Sequence, residues 1–191
     1  SLTAHAPWRA IPTKIASVKH AIAPYCYRCP LKLSPKNCGT ACATDVEELI
    51  QTTTTGKIAG ILVEPIMGVG GFITPPKEYF SIVADIVRKY GGIFISDEVQ
   101  TGFGRTGKNF AHQLYNVKPD IMGCGKAAGG GILPVSFVAG RDDVIGVLTP
   151  GSEGSTFGGY PLASIVGIYA IKTLIDENLA SNAQIRGDQL M

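Results

Sequence analysis

Lys126 stands in the run PDIMGCGKAAGGG (119–131), an apolar segment that dissolves into glycines. Upstream, the apolar run Ile93-Phe94-Ile95-Ser96 ends in Asp97-Glu98-Val99-Gln100. An amine among glycines and a carboxylate at the end of the preceding strand together fit one chemistry. The amine can condense with an aldehyde as a Schiff base, and the carboxylate can partner a pyridinium nitrogen. Each residue also has an ordinary reading. Lys126 alone is a solvated loop lysine, and Asp97 or Glu98 caps a helix or pairs with a surface lysine. Gly125 and Gly129 to Gly131 favour the first reading for Lys126, because they let backbone approach a ligand closely. A lysine so held can also act as the base that moves a proton between carbon atoms. A carboxylate beside a pyridine nitrogen favours the protonated ring, which is the electron sink a carbanion needs.

Other motifs carry less. The loop Gly151-Ser152-Glu153-Gly154-Ser155-Thr156-Phe157-Gly158-Gly159 offers hydroxyls and backbone N–H groups that could cradle a phosphate, although many loops share this composition. Gly102-Phe103-Gly104-Arg105-Thr106-Gly107 matches the dinucleotide-binding glycine pattern by letter. However, Asp97 to Gln100 separate it from the strand, and no amphipathic helix opens at Gly107. Gly125-Lys126 lacks both the upstream glycine and the following hydroxyl of a P-loop. Cys26, Cys29, Cys38 and Cys42 crowd into one short segment, spaced C-x2-C-x8-C-x3-C. Buried free thiols are the leading expectation there, with a bound metal and a disulfide as alternatives.

These residues need elements to hold them. The 191 residues suit one domain of ordinary size, and 45% apolar content with 24 glycines points to a buried α/β core. Residues 1–43 read as irregular, holding five of the twelve prolines. A capping box, Thr44-x-x-Glu47, opens a helix that runs to about Thr54. Lys57 to Val63 reads as a buried strand stopped by Glu64-Pro65. Tyr79, Ile82, Val83, Ile86, Val87 and Tyr90 form one helical stripe, which Gly91-Gly92 terminates. Gly92–Ser96, Ile121–Cys124 and Val135–Ala139 are further strand candidates. Pro161 begins a long helix whose stripe is Leu162, Ile165, Val166, Tyr169 and Leu174. Strands alternating with helices imply polar chemistry at the carboxyl ends of the strands.

The net charge of +2, without a basic cluster, gives no nucleic-acid signal. No apolar run reaches the roughly 20 residues of a membrane span. Residues 1–20, with Pro7 and Pro12, lack the apolar core of a signal peptide. A first residue that is serine suggests a chain cut from something longer.

From about Lys57 onward the sequence resembles the class III aminotransferases that use pyridoxal 5'-phosphate. GILVEPIMGVGG, ISDEVQTGFGRTGK, KPDIMGCGKAAGGG and GSTFGGYPLA occur in that family's order and spacing. The resemblance implies an α/β fold of fold-type I, with a mostly parallel sheet and flanking helices, present here only in part. Residues 1–43 would belong to the large domain, 44–159 would form its cofactor-binding core, and 160–191 would lead toward a small domain beyond this chain. Lys126 matches the Schiff-base lysine and Asp97 the pyridinium partner. Gln100 matches the residue at the cofactor's phenolic oxygen, Val99 the one packed on the ring, and Glu64 an acid supporting this network. Thr156, beside Ser155, matches a phosphate ligand that a homodimer donates from the neighbouring subunit. No metal is implied.

The activity so implied is transfer of an amino group from an ω-amino acid or alanine-like donor to a 2-oxo acid or glyoxylate. A decarboxylase or aminomutase of the same fold, or a non-catalytic fragment, are the alternatives. The cytoplasm or the mitochondrial matrix is the expected compartment. Val69 departs from the glutamate of ornithine and aminobutyrate enzymes, and Met67 from a frequent glutamine. The Cys-rich segment leans toward the alanine–glyoxylate or aminobutyrate side. The family's upstream phosphate loop, its ring-stacking aromatic residue and its carboxylate-binding arginine lie outside these residues.

Overall fold

The structure, a computed structural model, describes residues 2–9 and 15–191. Pro12 falls outside them. Four strands form one sheet in the order β1-β2-β3-β4: β1 (Gly60–Val63), β2 (Ile93–Asp97), β3 (Ile121–Cys124) and β4 (Phe137–Gly140). The first three are parallel, with Val63 beside Ser96 and Asp97 beside Gly123. β4 runs antiparallel to β3, Cys124 facing Phe137. The chain between them, residues 125–136, carries no crossover helix, only a 3-10 turn and the left-handed Gly130 and Gly131, and returns antiparallel.

Helices α1 (Ala41–Thr53) and α2 (Tyr79–Lys89) pack together over the face of β2 that carries Phe94. Ala43, Val46 and Ile50 of α1 meet Tyr79, Val83 and Val87 of α2 in one apolar layer. Phe80 is its centre, with edge-on aromatic contacts to Tyr79, Phe94 and Tyr115 at ring separations of 5.1, 6.1 and 4.8 Å. Burying a side chain of that size stabilises the fold by about 2–3 kcal/mol.

Several expected boundaries move. Helix α1 starts at Ala41 and not at Thr44, because Gly39 and Thr40 take left-handed backbone and turn the chain into the helix early. The Thr44 hydroxyl donates back to Ala41 O at 3.1 Å, so no capping box forms there. Strand β1 is shorter than Lys57–Val63 and only half-buried, since it is an edge strand whose pairing with β2 begins at Gly60 and Ile93. At Gly60 a Cβ would lie 2.5 Å from Ile93 O, which is why the position is a glycine. The buried stripe of α2 is centred on Phe80 and Ala84, leaving Ile82, Ile86 and Tyr90 at its margin. Strand β4 begins two residues later than expected, and its face is largely exposed.

Beyond the sheet follow α3 (Asp142–Ile145), α4 (Pro161–Asp176) and α5 (Leu179–Leu190). Helix α4 docks through small residues: a Cβ on Gly167 would stand 3.4 Å from Val135, and one on Gly130 would stand 3.2 Å from Ala170. Of its expected stripe only Leu174 is buried, while Leu162 and Tyr169 are 50% and 62% exposed. Among the described residues no helix is long and apolar enough to cross a membrane.

Candidate active site

The carboxyl ends of β1, β2 and β3 lie side by side, and strand register sets what gathers there. Glu64 follows Val63, Asp97 ends β2, and Gly123 is its neighbour on β3. Lys126 lies just past β3 and heads a 3-10 turn, Lys126–Gly129, with its own backbone left-handed at φ 46°. Its Nζ donates to Gln100 Oε1 at 2.8 Å. Two segments far apart in the chain thus place an amine against an amide at the mouth of the sheet.

The neighbours are held in turn. Asp97 Oδ1 accepts Val99 N–H at 3.0 Å, and Oδ2 makes no hydrogen bond to the described residues. Val99 packs over Gly125, where a Cβ would lie 3.4 Å from its side chain. Glu64 Oε2 accepts Gly68 N–H at 2.9 Å, tying the Gly68–Gly71 loop back onto the end of β1. Gly68 lies flat against Gln100, since a Cβ there would come within 2.6 Å of its Nε2. Tyr115, its hydroxyl pushed up to about 12 by burial and then by the Glu98 charge, donates to Pro65 O at 2.9 Å beneath this loop. Lys126, Gln100, Asp97, Val99 and Glu64 are therefore brought together. Ser155 and Thr156 are not joined to them; both are exposed, and neither hydroxyl has a partner among the described residues.

Glu98 meets the capping expectation, since it accepts the first N–H groups of the 3-10 turn Ala111–Tyr115. It is 0% exposed, on the buried face of β2 that Phe94 and Ser96 also use, opposite to Asp97. Its carboxylate accepts His112 N–H at 2.8 Å, Ala111 N–H at 3.0 Å and Thr101 O–H at 2.6 Å, with His112 Nδ1 at 3.1 Å. Burial pushes its pKa up, but these hydrogen bonds outweigh burial and hold it below the usual carboxylate range. The alternation Phe94-Ser96-Glu98 signals the buried face. Its partners at Ala111 and His112 carry no sequence signal. Cys124, at the end of β3, is a neutral thiol raised to about 11, first by burial and then by the charges of Glu98 and Asp97.

The remaining motifs resolve structurally. Gly104 and Gly107 press against Leu174, Ala180 and Gln184, so the glycine pattern serves helix packing and not a dinucleotide. All five cysteines are free. Only Cys124 is buried; Cys26 is exposed, and Cys29, Cys38 and Cys42 are half-buried around one small apolar depression. No group of three or more His, Cys, Asp or Glu among the described residues is placed to hold a metal ion.

With this geometry in hand, comparison with known proteins is decisive. The profile described as "Aminotransferase class-III" matches residues 5–191. The chain belongs to the class III aminotransferases. Among curated members of this family, ornithine aminotransferase of Oceanobacillus iheyensis is 48% identical over 134 residues, which are 70% of this chain and 34% of that protein. Among solved class III structures, an (S)-enantioselective ω-transaminase from Thermomicrobium roseum superposes with TM-score 0.86 at 34% identity, covering 96% of this chain and 42% of its own. An ornithine aminotransferase of Toxoplasma gondii, with partial occupancy of PLP at its active site, superposes with TM-score 0.73 at 41% identity, covering 77% and 34%. The chain spans about a third of the length of the curated relatives it matches. The α/β fold with its mostly parallel sheet is that of the family's fold-type I members.

Proposed function

We propose that the protein to which this chain belongs transfers an amino group from an amino donor to a 2-oxo acid, using pyridoxal 5'-phosphate. The observation that carries this reading is the Lys126 Nζ–Gln100 Oε1 hydrogen bond of 2.8 Å, set beside Asp97 at the carboxyl ends of β2 and β3. The donor set fits the cofactor. An amine stands for its aldehyde, a carboxylate oxygen free of other donors for its ring nitrogen, and an amide for its phenolic oxygen. Gly68 and Gly125 meanwhile keep backbone flat where a side chain would intrude.

When bound, the cofactor supplies a carbonyl that condenses with amines and a protonated ring that withdraws electrons from the substrate carbon. Lys126 would hold the cofactor between turnovers and, once released, its amine would take the proton from the amine-bearing carbon of the substrate and return it at the carbon of the former aldehyde. Gln100 orients the lysine and the ring oxygen. Asp97, its Oδ1 pinned by Val99 N–H, would offer Oδ2 to the ring nitrogen and so favour its protonated form. Val99, which lies over Gly125, would pack on the ring face. Glu64 holds the Gly68 loop against Gln100. Ser155 and Thr156, exposed and unpartnered, offer their hydroxyls to the phosphate held by a second copy in a homodimer. Val69, exposed on that loop, stands where ornithine and aminobutyrate enzymes carry a glutamate, so the donor is an ω-amino acid or alanine-like amine handled without that group.

The test is covalent. Full-length protein loaded with the cofactor is reduced with borohydride and digested, and the label is expected on Lys126 alone. Lys126→Ala abolishes it. A label on Lys108 or Lys118 would overturn the assignment.

A further inference from the structure

Glu98 adjoins Asp97 but points the other way, and nothing in the proposed chemistry uses it. It is nonetheless the most heavily bonded side chain of the described molecule. Three protein segments converge on it. Its backbone N–H donates to Gly123 O of β3 at 2.9 Å, and its backbone carbonyl accepts Gly102 N–H at 2.9 Å. Its carboxylate gathers Thr101 from the turn after β2, and Ala111 and His112 from the opening of the 3-10 turn Ala111–Tyr115. Ser96 Oγ donates to it as well, at 3.4 Å. Asp97, Val99 and Gln100 lie within or beside the stretch so clamped, from Glu98 to Gly102.

We propose that Glu98 is a positioning residue, whose buried carboxylate fixes the turn that presents Asp97 to the cofactor ring and Gln100 to Lys126. The physical reason lies in the donors. Two main-chain N–H groups, two hydroxyls and an imidazole converge on one carboxylate, and an ionised acceptor makes each of these hydrogen bonds stronger than a neutral one would. Remove the second anionic oxygen and at least one buried donor must face another donor. The turn then relaxes away from the 2.8 Å contact between Gln100 and Lys126. A carboxylate kept for stability alone would have no reason to be anchored on both sides of the Asp97–Gln100 turn. This inference rests on the proposed cofactor reading.

The experiment uses full-length protein with the isosteric variant Glu98→Gln. Two quantities are read: the dissociation constant of pyridoxal 5'-phosphate for the apoprotein, and the visible absorption band of the bound cofactor. Glu98→Gln is expected to weaken binding about tenfold or more and to move the band. Val83→Ala, a cavity in the layer between α1 and α2, serves as the control for general destabilisation. It should lower the melting temperature while changing the dissociation constant by no more than about twofold and leaving the band in place. If Glu98→Gln does not fold, Thr101→Val removes one 2.6 Å bond at constant shape, and a threefold or so weakening with a displaced band is expected. Binding and spectrum like wild type in whichever variant folds, with only the melting temperature lowered, overturn the proposal. Failure of the cofactor reading itself looks different: wild type would then show no band at all.

Discussion

Asp97 has one oxygen committed and one uncommitted, and that asymmetry divides its duties. Oδ1 caps the turn through Val99 N–H, which asparagine can also do, while a charge at Oδ2 is something asparagine lacks. Asp97→Asn should therefore preserve the melting temperature and slow kcat about a thousandfold, equivalent to about 4 kcal/mol at the transition state. Steady-state rates at saturating substrate decide it. A rate near wild type would reduce Asp97 to the role of a turn cap. Lys126 illustrates a second point at this scale. It occupies left-handed backbone, a conformation a non-glycine residue holds at a cost of about 1–2 kcal/mol, and such costs concentrate where geometry matters more than stability.

The strands owe their alignment to a latch at the end opposite the chemistry. Asp120, just before β3, accepts Phe94 N–H of β2 at 2.8 Å and Arg141 of the β4–α3 junction at 2.8 Å, with Arg88 of α2 at 3.4 Å. Burial raises its pKa, yet the Phe94 N–H and the two guanidinium groups override this and hold it below the ordinary value. A depressed folded-state pKa contributes stability above the unfolded value, near 3.9 for aspartate, and loses it as pH falls through the folded value. Melting temperature should thus be flat above about pH 5 and fall toward about pH 3, and Asp120→Asn should flatten that acid limb while costing about 2 kcal/mol at neutral pH. Parallel curves for the two proteins would exclude Asp120 as the titrating group. Such a latch is hard to read in a sequence, because its members come from four elements. What was legible had a local cause. Helix α2 followed from a 3.6-residue period, β3 from an apolar run, and the places of Asp97 and Lys126 at the ends of β2 and β3 from the limits of those runs. The early start of α1 depended on a left-handed Thr40, the direction of β4 on a reversal at Gly130, and the role of Glu98 on a turn without periodicity.

At the scale of the whole molecule, Thr156 and the exposed face of α4 point outward together. Leu162, Ile165 and Tyr169 present apolar surface of the kind that folded proteins cover with further segments or partners, which fits the homodimer proposed above. If Thr156 serves the neighbouring subunit, two inactive full-length variants should rescue each other. Mixing Lys126→Ala with Thr156→Ala under verified subunit exchange creates one site with both residues intact, and tight cofactor retention should return in part. A single hydroxyl bond to a phosphate is worth roughly 1.5–3 kcal/mol, so Thr156→Ala alone should weaken retention about ten- to a hundredfold. No recovery would place Thr156 in its own subunit's site or away from the phosphate. The residues from Glu64 to Lys126 have a different character from these outward parts. They form one uninterrupted stretch of chain laid along the carboxyl ends of three neighbouring parallel strands. Such a stretch can be inherited as a block while the loops and partners that choose a substrate diverge around it. The chain's likeness both to an ornithine aminotransferase and to an enantioselective ω-transaminase fits a stretch of that kind.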